Sequence, residues 1–189
     1  GSTGYGRAYA RALSGEWGVR DVADCAAGIR VARERGWADP TRVAVCGGSA
    51  GGLTALLLAA RHGPLVRAVV SQYGVTDLLG LAATTHRLEA RYLDDLVGPL
   101  PAGADRYRER SPVAHAGSIR VPTLVLHGAD DRVVPAEQAG RLVEEIRAAG
   151  GVVEHRVYPG EGHGWTRPET VLDVYPRIEA FLARWVLGR

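Results

Sequence analysis

A chain of 189 residues with 46% apolar and 23% charged side chains fits one globular domain able to bury about 70% of its unfolded surface, which excludes the disordered and fibrous classes. Its net charge of +2 comes from 23 basic residues, all arginine, scattered in ones and twos among 21 acids, and the lack of a basic block or of interleaved aromatics argues against a nucleic-acid partner. The longest apolar stretch, residues 53–60, is too short to span a bilayer, so no membrane partner is expected either.

The opening GSTGYG is turn material with no strand before it, and no methionine occurs anywhere, position 1 included. We therefore expect a partial domain over 1–189 whose true start lies upstream. Residues 19–35 place Val22, Ala26, Ile29 and Arg33 at helical spacing, with Asp21 and Asp24 near the positive start and Gly36 at the stop. Asp39-Pro40 turns the chain into 42–46, a continuous apolar run of the kind found in parallel strands covered on both faces. A helix over 53–61 follows, then strands over 66–74, 123–128 and 154–160. Between the last two, Ala139, Leu142, Val143 and Ile146 form a helical stripe that stops at Gly150-Gly151. The final helix puts Ile178, Phe181, Leu182 and Trp185 on one face, with Pro176 read as part of its first turn, where a missing N–H costs nothing.

This alternation predicts an α/β fold: a parallel sheet with helices on both faces and ligand sites at the carboxyl ends of its strands. Residues 75–120 interrupt it as a long insertion with a helix-like piece near 84–97, and insertions of that length often form functional walls or lids. Cys25 and Cys46 lack C-x-x-C spacing and read as buried free thiols in a reducing, cytoplasmic setting, with no disulfide framework.

One motif carries chemistry. Residues 47–51, GGSAG, match G-x-S-x-G once, between a predicted strand and a predicted helix, where a nucleophile elbow belongs. By chance the bare pattern should occur on the order of 0.1 times in such a chain, so its context supplies the signal. A sharp turn would hold Ser49 in a strained backbone, and side chains at Gly47 and Gly51 would collide with the neighbouring strand and helix, while Gly52 would let the helix pack close. A phosphate-cradling loop is the alternative, but no lysine follows and G-x-G-x-x-G is absent.

A serine nucleophile needs a base and an orienting carboxylate, in the chain order Ser, Asp, His. HGADDRVVP, after the third strand, offers Asp130 or Asp131, and PGEGHGW, after the fourth, presents His163 between two glycines. His127 sits at a strand end beside the acids and reads as structural. His62, His86, His115 and His155 fall on helix ends, the insertion or a strand edge, where a solvated or satisfied imidazole is expected. None of these groups shows the short ligand spacings of a zinc site, so neither metal nor cofactor is expected.

With these residues in view, the chain resembles the catalytic domain of the prolyl oligopeptidase family, near its dipeptidyl-peptidase and acylaminoacyl-peptidase branch. The resemblance rests on GSTGYG, GEWGVRDVAD, GWADPTRVAVCGGSAGG, YGVTDLL, YRERSPVAHAGSIRVPTLVLHGADDRVVP and YPGEGHGW, and leaves only about 83–105 without a motif. It implies the α/β-hydrolase fold with its first strands missing, and a serine peptidase acting on short peptides. Ser49 would be the nucleophile, Asp131 the orienting acid and His163 the general base. The family pattern G-x-x-D-x-x-V-P selects Asp131 over Asp130, because Gly128, Val134 and Pro135 then fall in register. The backbone N–H of Ala50 would be one oxyanion donor, and Val75 and Val134 would line the pocket for the residue before the scissile bond.

The resemblance also implies partners outside 1–189: an upstream segment bearing the second oxyanion donor, and a β-propeller that restricts access to short peptides. Losing one oxyanion donor costs about 10²–10³ in turnover, so the 189-residue piece is expected to be weakly active or inactive. The family's proline-stacking tryptophan belongs near the insertion, where none of Trp17, Trp37, Trp165 or Trp185 falls, so strict proline preference is not expected. A carboxylesterase-like hydrolase and a non-catalytic scaffold are the other two readings.

Overall fold

The computed structural model describes residues 1–84 and 91–189. Its centre is a four-stranded sheet in the order β1 (Ala44–Gly48), β2 (Ala68–Gln72), β3 (Thr123–Gly128), β4 (Val153–Tyr158). All pairings are parallel, with Cys46 opposite Val70, Val70 opposite Leu124 and Leu124 opposite Glu154. Because the strands lie in sequence order, each crossover steps the same way, and right-handed connections then stack on one face. There α3 (Ala50–His62) covers β1 and β2, and α7 (Ala136–Ala148) covers β3 and β4. After β4 the chain turns back as α8 (Pro168–Leu182) over the other face.

Adjacent residues of β2 show both faces. Val69 packs with Leu56, Leu142 and Ile146 of α3 and α7, whereas Ala68 and Val70 pack with Val174 and Phe181 of α8. A strand buried on both sides shows no alternation of buried and exposed positions, and 123–128 is buried at every residue. α1 (Arg7–Arg11) precedes α2 (Arg20–Glu34), which packs behind α3. Between β2 and β3 run α4 (Leu78–Thr84), α5 (Tyr92–Leu96), α6 (Ala104–Glu109) and a 3₁₀ segment at Pro112–Ser118 that packs on α3 and α7.

Several expectations change. Cys25 and Cys46 are exposed, not buried. Cys46 lies on β1, which has one strand neighbour among the described residues, and Cys25 of α2 lines with it an open groove beside that strand. Pro176 lies inside α8, and Pro168 occupies the first turn instead. Thr170 and Val174 are buried and anchor the two turns before Pro176, so the apolar stripe starts earlier than its densest part. The predicted helix near 84–97 falls partly outside the described residues, as does His86; the described remainder holds α5. No helix among the described residues is long and apolar enough to cross a membrane.

Candidate active site

β1 ends at Gly48 and α3 begins at Ala50, so Ser49 alone makes the turn. Its φ of 53° and ψ of −121° are strained for a residue with a Cβ. Four backbone bonds hold it there: Ser49 N–H donates to Gln72 O, and Ser49 O accepts from Gly52, Leu53 and Val75. A Cβ at Gly47 would stand 2.1 Å from the Gly51 carbonyl oxygen, and one at Gly52 would stand 2.6 Å from Gly74 Cα. Both are backbone clashes that cannot relax. Gly51 departs from expectation, since a Cβ there meets nothing within 4 Å; close approach is demanded at 47 and 52. Ala50, as the first residue of α3, directs an N–H with no intrahelical acceptor towards the helix start, beside the serine.

The loop after β3 supplies Asp131. Its Oδ1 accepts the N–H groups of Val133 and Val134, both at 2.9 Å, and its Oδ2 accepts from His163 Nδ1 at 2.8 Å. Burial alone would raise its pKa. Hydrogen bonds from His127, His163 and the Val134 and Val133 amides outweigh burial and hold the carboxyl well below its usual range. Asp131 is therefore ionised and accepts only. His163 must then carry its proton on Nδ1, which leaves Nε2, 2.7 Å from Ser49 Oγ, free to accept the hydroxyl proton. Asp130, by contrast, is exposed.

His127 is fully buried, with Nε2 2.8 Å from Val134 O and 3.3 Å from Asp131 Oδ2. Because a carbonyl only accepts, Nε2 bears the proton, and Nδ1 is buried without a partner. This fits the structural role expected of it. His155 differs from expectation: its Nε2 is also buried and unpaired, and burial first, then Arg147 and His127, push its pKa down. His62 ends α3, and His115 contacts Glu109 O.

The loop after β4 is anchored by Glu161, which is fully buried. It accepts from Thr166 N–H, Thr166 Oγ1 and Arg167 N–H at 3.0, 2.8 and 2.9 Å. Burial would raise its pKa, but these bonds and one from Thr170 lower it to about 2. Tyr73, at φ 40°, sets its ring edge-on to His163 at 5.1 Å and to Trp165 at 5.2 Å, while Trp165 Nε1 donates to Gln72 Oε1. No sequence motif marks Glu161, Tyr73 or Trp165 as part of the site. A lone acid between two glycines and an aromatic two residues beyond the histidine were the available signals.

Ser49, Ala50 and His163 open onto a cavity of about 370 Å³ whose wall includes Val75 and Val134, the two predicted pocket residues. Trp17 and Tyr92 also line it, and neither was assigned there from sequence. No group of three or more metal-ligating side chains occurs among the described residues.

The sequence pattern of the Prolyl oligopeptidase family (Peptidase_S9) matches residues 1–189. The acylamino-acid-releasing enzyme of Arabidopsis thaliana is 31% identical over 201 residues, covering 98% of this chain and 25% of that protein. Dipeptidyl aminopeptidase BIII of Pseudoxanthomonas mexicana is 30% identical over 194 residues, covering 100% of this chain and 28% of that one. Among solved structures, a Mycobacterium tuberculosis puromycin-hydrolyzing peptidase superposes with a TM-score of 0.95 at 38% identity, over 98% of this chain and 28% of its own. The chain thus spans 25–28% of the length of these relatives.

Proposed function

The chain belongs to the prolyl oligopeptidase family, and on that premise we propose that it is the catalytic part of a serine peptidase that cleaves short peptides through an acyl-enzyme. The observation that carries this reading is the continuous relay from Asp131 Oδ2 through His163 Nδ1 and Nε2 to Ser49 Oγ, with steps of 2.8 and 2.7 Å. In the first half-reaction Ser49 Oγ attacks the peptide carbonyl as its proton passes to His163 Nε2. Asp131 keeps the imidazole in the required tautomer and stabilises the imidazolium, and the same proton then goes to the leaving amine. Water enters by the reverse sequence and releases the acid.

The oxyanion that forms at each addition takes a hydrogen bond from the Ala50 N–H, and the second donor lies on a segment outside 1–189. A further propeller domain of the longer protein would admit only short peptides. The apolar cavity suits a bulky apolar side chain before the scissile bond, with Val75 and Val134 on its wall.

The test is fluorophosphonate labelling of the chain, read by intact mass, beside Ser49→Ala and His163→Ala. Labelling that needs both residues supports the reading. No labelling, either in this chain or in a longer form of the protein that carries the upstream segment, overturns it and favours a scaffold role. Comparing an aminoacyl amide with a simple ester then separates peptidase from carboxylesterase.

A further inference from the structure

The cavity beside Ser49 is apolar over most of its wall, where Trp17, Leu81, Leu93 and Val134 meet it, yet an arginine, Arg132, also lines it. Arg132 follows Asp131 directly. The turn that carries it is pinned, because Asp131 Oδ1 takes the amides of both Val133 and Val134. Its guanidinium is the opposite case: it has no ion-pair or hydrogen-bond partner among the described residues. Elsewhere Arg141, Arg167 and Arg177 each find a carboxylate. A fixed backbone presenting a free planar cation at the mouth of an apolar pocket is suited to a carboxylate, which guanidinium donors match in geometry.

We propose that Arg132 selects substrates that carry a carboxylate on the acyl side of the scissile bond, one unit before the apolar residue that fills the cavity. The preferred class is then an apolar residue whose amino group bears an N-acyl dicarboxylate or a preceding acidic residue. This rests on the peptidase reading. The acyl side follows from placement: the leaving amine must sit by His163 Nε2 to receive its proton, whereas Arg132 and Val134 belong to the loop that walls the side-chain cavity.

Two probes differ only in the carboxylate, succinyl-phenylalaninamide and acetyl-phenylalaninamide. Their binding to the full chain carrying Ser49→Ala, measured by calorimetry, should favour the succinyl compound by about three- to tenfold. Adding Arg132→Gln should bring the ratio to about one, and raising salt should shrink it in the parent. Hydrolysis of the matching p-nitroanilides by a longer form of the protein that carries the upstream segment should show the same ratio in kcat/KM. Equal binding of the two probes, binding of neither, or a preference that survives Arg132→Gln overturns the proposal. If that longer form hydrolyses neither anilide while the binding ratio holds, the peptidase reading fails and the anion site stands.

Discussion

The loops after β3 and β4 are each built around one buried carboxylate, and the two carboxylates divide their work differently. Asp131 gives one oxygen to the Val133 and Val134 amides and the other to His163, so a single group shapes its loop and reaches the imidazole. Glu161 spends both oxygens on its own loop, on Thr166 and Arg167, two residues before the histidine in sequence. The lesson is that strong burial and a depressed pKa do not by themselves mark a chemical role. What distinguishes the pair is that one Asp131 oxygen is directed at the His163 imidazole, the group that moves a proton on the peptidase reading.

Substitution can break that comparison, and the largest effect is expected at Asp131. Asp131→Asn keeps the shape but lets the side chain donate to His163, which favours the wrong tautomer; turnover of a p-nitroanilide should fall by about 10⁴. Glu161→Gln leaves at least one buried amide facing an NH₂ group. It should cost about 2–3 kcal/mol in urea unfolding, with a much smaller loss of turnover per folded molecule. If Glu161→Gln abolishes turnover without loss of stability, the division of labour is wrong.

Acid sharpens the same contrast. Both folded carboxyl groups titrate below their ordinary values, so the stability each contributes is fully present above the unfolded value of about 4. For Glu161 it is lost as the pH falls through about 2, and Glu161→Gln should flatten that part of a stability-versus-pH curve. Next in size, Tyr73→Ala removes the edge-on ring beside His163 and should lower turnover about fivefold, as loss of an aromatic contact worth about 1 kcal/mol implies. Asp130→Asn, at the exposed neighbour of Asp131, should change stability by no more than about 0.5 kcal/mol.

The elements that could be read in advance were those in which local pattern and burial agree. Residues 123–128 are buried throughout and lie on a strand with a neighbour on each side. Ser49, Asp131 and His163 sit at strand-to-loop transitions marked by glycines, and the structure brings their side chains together. The errors came where a local signal was answered by distant residues. Pro176 looked like a helix start because the turns before it are anchored by Thr170 and Val174, whose burial depends on the sheet beneath. Cys46 looked buried because its run is apolar, but β1 is an edge among the described residues. Trp17 gave no sign of the cavity, since it reaches Val75 and Val134 only after the chain has doubled back. Glu161 was hidden because its partners, Thr166 and Arg167, carry no motif of their own.

Ser49 and His163 are 114 residues apart, although the strands between them add to the sheet one beside the next in the order in which a ribosome makes them. The elbow, α3, β2 and β3 can therefore assemble during synthesis while the serine still lacks its base. On the peptidase reading, until β4 and the loop behind it emerge, the growing chain presents a shaped but unarmed nucleophile. Chains truncated just before Gly160 should yield protease-resistant fragments that span β1 to β3 yet refuse a fluorophosphonate. On that reading nucleophilicity is a late event in the life of the polypeptide, delayed by topology without any inhibitor.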